Sequence, residues 1–299
     1  AIYATVGGGY RDSATGNSST VSGGFENTAS GGIAVVGGGS QNKATADYSG
    51  VSFGRSNVAS GAYSSVGGGQ ENTASGAWST AMGNATTASG QTSTAMGHQS
   101  VASGTYSGAW GYRDTATGTG TGAWAIGYQC KAFGDRAIAL GTSTTASGAF
   151  SNAMGLSTTA SGDISTTMGL STTASNYTST AMGHTTTASG YSSTAMGNTT
   201  TASGNYSTSI GLNSIASGET STAMGRNTTA SGLASTAMGQ QSGAMGNYTG
   251  VWGFGDTATG IGNGAWAIGY QCKAFGDRAV AMGSLAKASG TISFALGSE

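Results

Sequence analysis

The tripeptide Ala-x-Gly returns every seven residues along most of this 299-residue chain. From Ala81 it runs through Ala88, Ala95, Ala102, Ala109 and Ala116, then steps nine residues to Ala125. It continues at seven to Ala244, Val251 and Ala258, and a second nine-residue step leads to Ala267, Ala274, Ala281, Ala288 and Ala295. Thr167, Ser209 and Val251 replace the Ala, and Asn176 replaces one Gly. Self-similarity at a fixed short period marks a repeat architecture. The sevens alternate between STAMG, as at Ser79 to Gly83, and TTASG, as at Thr86 to Gly90, so the unit is 14 residues. Residues 1–76 carry a 15-residue version, visible in Ala14, Ala29, Ala44, Ala59 and Ala74, and residues 77–299 carry the 14-residue one. A super-repeat of 142 residues lies on top: Trp110 to Gly148 matches Trp252 to Gly290, and cassettes near 109–141 and 251–283 share the block GAWAIGYQCKAFGDRA.

A seven-residue period invites a coiled coil, but that needs two apolar positions per heptad and tolerates little Gly. Here every seven brings a Gly, and Ser and Thr fill most other places. β-branched residues with alternating burial, closed by a Gly corner, describe short strands. Each unit then makes two strands of about five residues, and stacked units pair strand on strand at about 4.8 Å. The expected fold is an all-β parallel β-roll, or β-solenoid. The 56 Gly fall at corners, where positive φ is tolerated. The chain contains no Pro, which spares the ladder N–H groups. A net charge of −1 and 7% charged residues argue against nucleic acid, which needs a basic footprint. No apolar run reaches the roughly 20 residues of a membrane span.

Strand side chains alternate faces. The Ala columns are common to both strand types, so they belong inside, together with the Ser, Thr or Ala two places before them. The outer face of TTASG then carries hydroxyls, as with Thr87 and Ser89. The outer face of STAMG carries a long apolar column: Met82, Met96, Trp110, Ile126, Leu140, Met154, Met168, Met182, Met196, Ile210, Met224, Met238, Trp252, Ile268, Met282 and Leu296. In the 15-residue section the same outward role is expected of Val6, Val21, Val36, Val51 and Val66. So long an apolar stripe does not belong in water. It is too narrow to hold a core of its own, so it is expected to meet copies of itself in a parallel homotrimer.

The units STAMGNATTASG and GAWAIGYQCKAFGDRAIALG resemble the head repeats of trimeric autotransporter adhesins, the YadA-like family. Similar repeats occur in phage tail fibres and other extracellular fibres. The resemblance covers essentially the whole chain. It implies a left-handed parallel β-roll, three chains side by side, with the large residue of the S-x-A-x-G strand at the trimer centre. Thr replaces the family's usual Val in most STAMG strands, and Met often replaces Ile.

Candidate chemistry is sparse. His98 and His184 follow corner glycines, and acids such as Asp12, Glu26 and Asp163 stand singly. Neither paired carboxylates nor a nucleophile with a base is found. The expectation is a non-enzyme without catalytic residues, metal or cofactor. Cys130 and Cys272 are super-repeat equivalents too distant to bond within one chain. Each lies two before an Ala, facing inward as a small filler. Charge concentrates in Lys131, Phe133, Asp135 and Arg136 and their twins Lys273, Phe275, Asp277 and Arg278. This cassette is expected to lock the register between neighbouring chains through Asp–Arg pairs, with a local bulge around Thr119 to Thr121 and Ile261 to Asn263.

The leading functional expectation is an extracellular or cell-surface structural and adhesive fibre. It would be a trimeric rod about 100 Å long from about 21 layers, whose repetitive Thr/Ser surface meets host surfaces, matrix or neighbouring fibres. A second is a self-assembling filament subunit or a segment of a longer surface fibre, since the pattern already runs at Ala4 and still runs at Gly297. A third is an ice- or surface-binding solenoid using outward Thr-x-Ser rows. In all three the chain partners with itself, and neither nucleic acid nor a membrane contacts this segment.

Overall fold

The computed structural model describes residues 2–118, 120–260 and 263–297. The chain divides into two compact units, Ala1–Met154 and Gly155–Glu299, which together hold about 21 coils. Every strand among the described residues is short, and none of these residues is helical. Each unit is a parallel β-solenoid with two ladders. In the first, Thr80–Asn84, Thr94–His98, Gly108–Tyr112, Trp124–Tyr128 and Ile138–Thr142 stack in register, so that Ala81 pairs with Ala95 and Met82 with Met96. In the second, the same ladder runs from Thr166–Leu170 and Thr180–His184 to Val280–Ser284 and Phe294–Gly297.

The second ladder is shorter than expected. Its strands, such as Thr87–Ala88 and Val101–Ala102, are two residues long rather than about five. The Ser-Gly that follows is spent on the corner. Ser89 and Gly90 N–H both donate to the Ala102 carbonyl, at 2.9 and 3.3 Å, and Ser93 N–H then closes a turn onto the Gly90 carbonyl at 3.2 Å.

The two glycines of a unit serve different ends. Gly83 stands at φ 122°, well outside what an L-residue accepts without strain. Gly90 is not in the left-handed region. It is small because a Cβ there would overlap the Gly104 carbonyl oxygen of the next coil. The expectation that corner glycines supply positive φ therefore holds for STAMG and is corrected for TTASG. Left-handed corners recur every seven residues at ordinary side chains instead, among them Ala85, Thr92, Gln99 and Tyr106 at φ 53–56°. Each keeps its ladder bond: Gln99 N–H donates to the Asn84 carbonyl, and Tyr106 N–H to the Gln91 carbonyl, both at 2.8 Å.

The core is thin and built of small side chains. Ala81, Ala88, Ala95 and Ala102 are fully buried, as are Thr86 and Ser100 two places before the short-strand alanines. Some interior hydroxyls return to the backbone: Ser19, Ser151 and Ser165 donate to the carbonyl three residues back at 2.6–2.8 Å. Cys130 and Cys272 sit in this interior as free thiols.

The Val column is corrected. Val21, Val36, Val51 and Val66 are at most 1% exposed and face inward, whereas Val6 is exposed. Val66 pairs with Ala81, after which the register slips and Met82 faces Gly68, leaving Gly67 as the extra residue. A longer coil encloses more space, and interiors fill to close packing. Hence Val replaces Ala, and Asn27, Asn42, Asn57 and Asn72 replace Ser or Thr as a buried ladder. Asn57 Nδ2 donates to the Gly69 carbonyl at 2.9 Å and to Asn42 Oδ1 at 3.1 Å, while Asn72 N–H donates to Asn57 Oδ1 at 3.0 Å. The outward apolar stripe is thus absent from these coils, where Ser22, Gly37 and Ser52 follow the valines.

Candidate functional site

The outer face of the long strands carries the apolar residues in register. In the first unit Met82, Met96, Trp110, Ile126 and Leu140 form one ladder column. In the second the column runs Met168, Met182, Met196, Ile210, Met224, Met238, Trp252, Ile268, Met282, Leu296. None of these side chains is buried; Trp252 is 61% exposed. A flanking column two residues earlier is mostly Thr, as at Thr80 and Thr94. In the super-repeat coils it becomes Trp124 and Ile138, and Trp266 and Val280, which widen the stripe. Trp124 meets Trp110 edge-on at 5.3 Å between ring centroids. This widening escaped the sequence reading, although GAWAIG carries it: its Trp lies two before Ile, on the same face.

Two aromatic columns run beside the stripe, one of left-handed corner residues and one at the ends of the long strands. Tyr48, Tyr63 and Trp78 stack nearly parallel at 4.7 and 5.6 Å, and His98, Tyr112 and Tyr128 do so at 5.0 and 4.8 Å. His98 is thus a member of an aromatic ladder, and His184 is exposed beside Thr185. Equal side chains one coil apart stand at the strand spacing, close to the optimum for offset stacking.

In the cassette, Lys131, Phe133, Arg136, Lys273 and Arg278 are exposed, and Asp135, Phe275 and Asp277 are half-buried. The carboxylates have partners within the chain. Asp135 Oδ1 accepts the Thr121 N–H, and Asp277 Oδ1 accepts the Asn263 N–H. The Arg136 guanidinium lies 5.2 Å over the Phe150 ring, and Lys287 Nζ lies 5.8 Å over Phe275. Thr119 and Ile261, named for the bulge, lie outside the described residues; Thr121 and Asn263 bridge in parallel to Thr105 and Asn247.

Two buried carboxylates were not singled out from the sequence. Asp114 and Asp256, 142 residues apart, take the inward position that Ser, Thr or Asn holds elsewhere, and both are fully buried. Asp114 accepts the Cys130 N–H at 2.8 Å and the Gly127 N–H at 2.7 Å; Asp256 accepts those of Cys272 and Gly269 at 2.7 and 2.9 Å. Burial raises both carboxyls above the ordinary Asp range, and the amide hydrogen bonds oppose that in part. The thiols beside them donate onward, Cys130 Sγ to the Gly141 carbonyl at 3.1 Å and Cys272 Sγ to the Gly283 carbonyl at 3.2 Å. The signal was Asp two before Ala, in DTATG, at both super-repeat positions.

Among the described residues, no three His, Cys, Asp or Glu side chains gather as a metal site would require. What the geometry offers is a set of long, repetitive surfaces: an apolar one, an aromatic one and a hydroxyl one. A family model described as the YadA head domain repeat matches residues 74–98, 88–121, 119–144, 134–158, 174–198, 188–214, 216–242 and 274–299, more than half of the chain. No curated protein matches it.

Proposed function

Since the chain belongs to the YadA head domain repeat family, we propose that it is an extracellular structural and adhesive fibre, a parallel homotrimer with the apolar columns at its centre. The observation that carries this reading is the unbroken column from Met168 to Leu296, facing outward and half-buried to exposed along one face of the second unit. Burying each Met or Ile is worth roughly 1.5–3 kcal/mol, repeated coil after coil. A narrow stripe of this kind is closed by rotational symmetry. In this reading Trp124 and Trp266 thicken the contact. The cassette residues Lys131, Phe133, Asp135 and Arg136, with Lys273, Phe275, Asp277 and Arg278, fix the register between neighbours. Because the carboxylates already hold chain amides, the exposed Arg136 and Arg278 are the groups placed to cross.

The outward Thr and Ser of the short strands, such as Thr87 and Ser89, present many equal and weak contacts. Their sum is useful only when several bind together, as avidity requires. Beads coated with the chain are expected to stay on cultured cells or on extracellular matrix under washing. A Met182→Asp/Met196→Asp/Met224→Asp variant, which places charge in the column, should lower retention by about tenfold or more. Retention equal to that of uncoated beads, or unchanged in the variant, would contradict the reading.

A further inference from the structure

Two open grooves, one in each unit, lie at super-repeat equivalent places on the corner that leads into the short strands. The first, about 350 Å³, is lined by Arg113, Gln129, Lys131, Ser143 and Thr145. The second, about 460 Å³, is lined by Gln241, Phe254, Gln271, Lys273, Leu285 and Lys287 along with Gly255. Each holds two cations and no carboxylate, in a chain where charge is scarce. Lys131 and Lys273 are equivalent, and the second cation comes from Arg113 in one groove and Lys287 in the other. Lys273 and Lys287 are direct ladder partners. Like charges in that position destabilise a sheet, and the fold sets against this the contact of Lys287 with the Phe275 ring. Among the described residues the one ion pair is Arg11–Glu26, so none of these lysines is neutralised. Arg113 is held in place: its Nε donates to Gln99 Oε1 at 2.8 Å and its guanidinium lies 5.2 Å over the Tyr112 ring.

A third groove supplies the contrast. It is lined by Glu26, Gln41, Lys43, Ser56 and Val58 and repeats the same Gln-x-Lys placement, with the Gln in the left-handed corner conformation. There Glu26 accepts from Gln41 Nε2 at 3.1 Å and from Arg11, so the groove supplies its own anion. The other two lack one.

We propose that the two cationic grooves bind an acidic polysaccharide, a linear glycan bearing sulfate or carboxylate groups. The paired cations take the anionic groups, Gln129 and Gln271 hydrogen-bond hydroxyls, and Phe254 with its stacked neighbour Tyr270 offers an apolar wall to a sugar ring. The volumes are those of small-ligand sites. Isolated pairs of cations on a chain of net charge −1 favour a short run of acidic sugars over nucleic acid, which wants a continuous basic track. This ligand class deepens the adhesive reading and rests on it. It also draws Lys131 and Lys273 toward the groove and away from the inter-chain register.

The test is calorimetric titration of the intact chain with a heparin octasaccharide, a hyaluronan octasaccharide and a single-stranded DNA oligonucleotide. Sedimentation of every variant is measured in parallel. Heparin binding that weakens with salt, falls at least about tenfold in Arg113→Gln/Lys131→Gln/Lys273→Gln/Lys287→Gln and is unchanged in Lys43→Gln supports the proposal. Hyaluronan binding with the same pattern assigns carboxylate, and its lack assigns sulfate. No glycan binding, equal loss in Lys43→Gln, equal binding of DNA, or a variant whose assembly falls apart would overturn it. Bead adhesion that survives the loss of glycan binding leaves the adhesive reading standing without this ligand.

Discussion

A left-handed backbone costs an ordinary L-residue about 1–2 kcal/mol, yet side chains such as Thr92, Gln99 and Tyr106 adopt it at most corners, while Gly122, Gly255 and Gly264 take it at others. The cost is offset in part because each corner N–H stays bonded to the coil before. Gly90 stands instead where no Cβ fits. Gly90→Ala should therefore destabilise the fold by roughly 1–3 kcal/mol, whereas Tyr106→Gly should change it little, since relief of strain offsets the added freedom of the unfolded chain. Thermal unfolding of both variants checks this, and an equal drop in Tm would contradict it. The buried Asp114 and Asp256 give a second expectation. Their carboxyls are raised by burial, so the folded chain holds these protons to higher pH than the unfolded one. The stability they contribute is fully present below the ordinary Asp pKa of about 3.9 and is lost as pH rises through the raised folded value. The advantage of Asp114→Asn/Asp256→Asn over the parent chain should accordingly grow as pH rises from about 4 toward neutrality. Denaturant unfolding across that range reads it directly, and parallel curves would refute it.

At the scale of the element, coil length and interior volume go together. The Ala-x-Gly spacing was enough to put Ala81, Ala95 and Cys130 inside and Met82 outside, because strand alternation leaves no choice once one column is placed. Two features escaped that logic. Val66 looked like an outward residue because it is large, as Met82 is, but its ladder partner is Ala81. The slip that hides this lies at Gly67, where three consecutive glycines obscure the register. Asp114 was not singled out, since acids are rarely buried; its position two before Ala116 is the signal that it faces inward. The short strands were read as too long because a corner drawn from Ser and Gly has the same alternation as a strand end. Interior volume makes the element-scale prediction. Val51→Ala should cost about 2 kcal/mol through lost burial and a residual void. Ala95→Val should also cost about 1–3 kcal/mol, through overpacking of the narrower coil. Urea unfolding of the two variants compares them; a stabilised Ala95→Val would show that the coils do not differ as described.

In the 14-residue coils the solenoid interior is mostly Ala, Ser and Thr, and the outer column of the long strands is mostly Met, Ile and Trp. There the larger apolar side chains are outside, and in the proposed trimer their burial is completed between chains. The scarcity of charge follows as well: hydroxyl rows solvate the remaining outer faces, and four of the ten Lys and Arg lie in the two super-repeat grooves. Sedimentation equilibrium of this chain at micromolar concentration tests the central claim most directly. The account predicts a single species with the mass of three chains, shifted toward one chain by Met182→Asp/Met196→Asp/Met224→Asp. A stable monomer of the unmodified chain would contradict it.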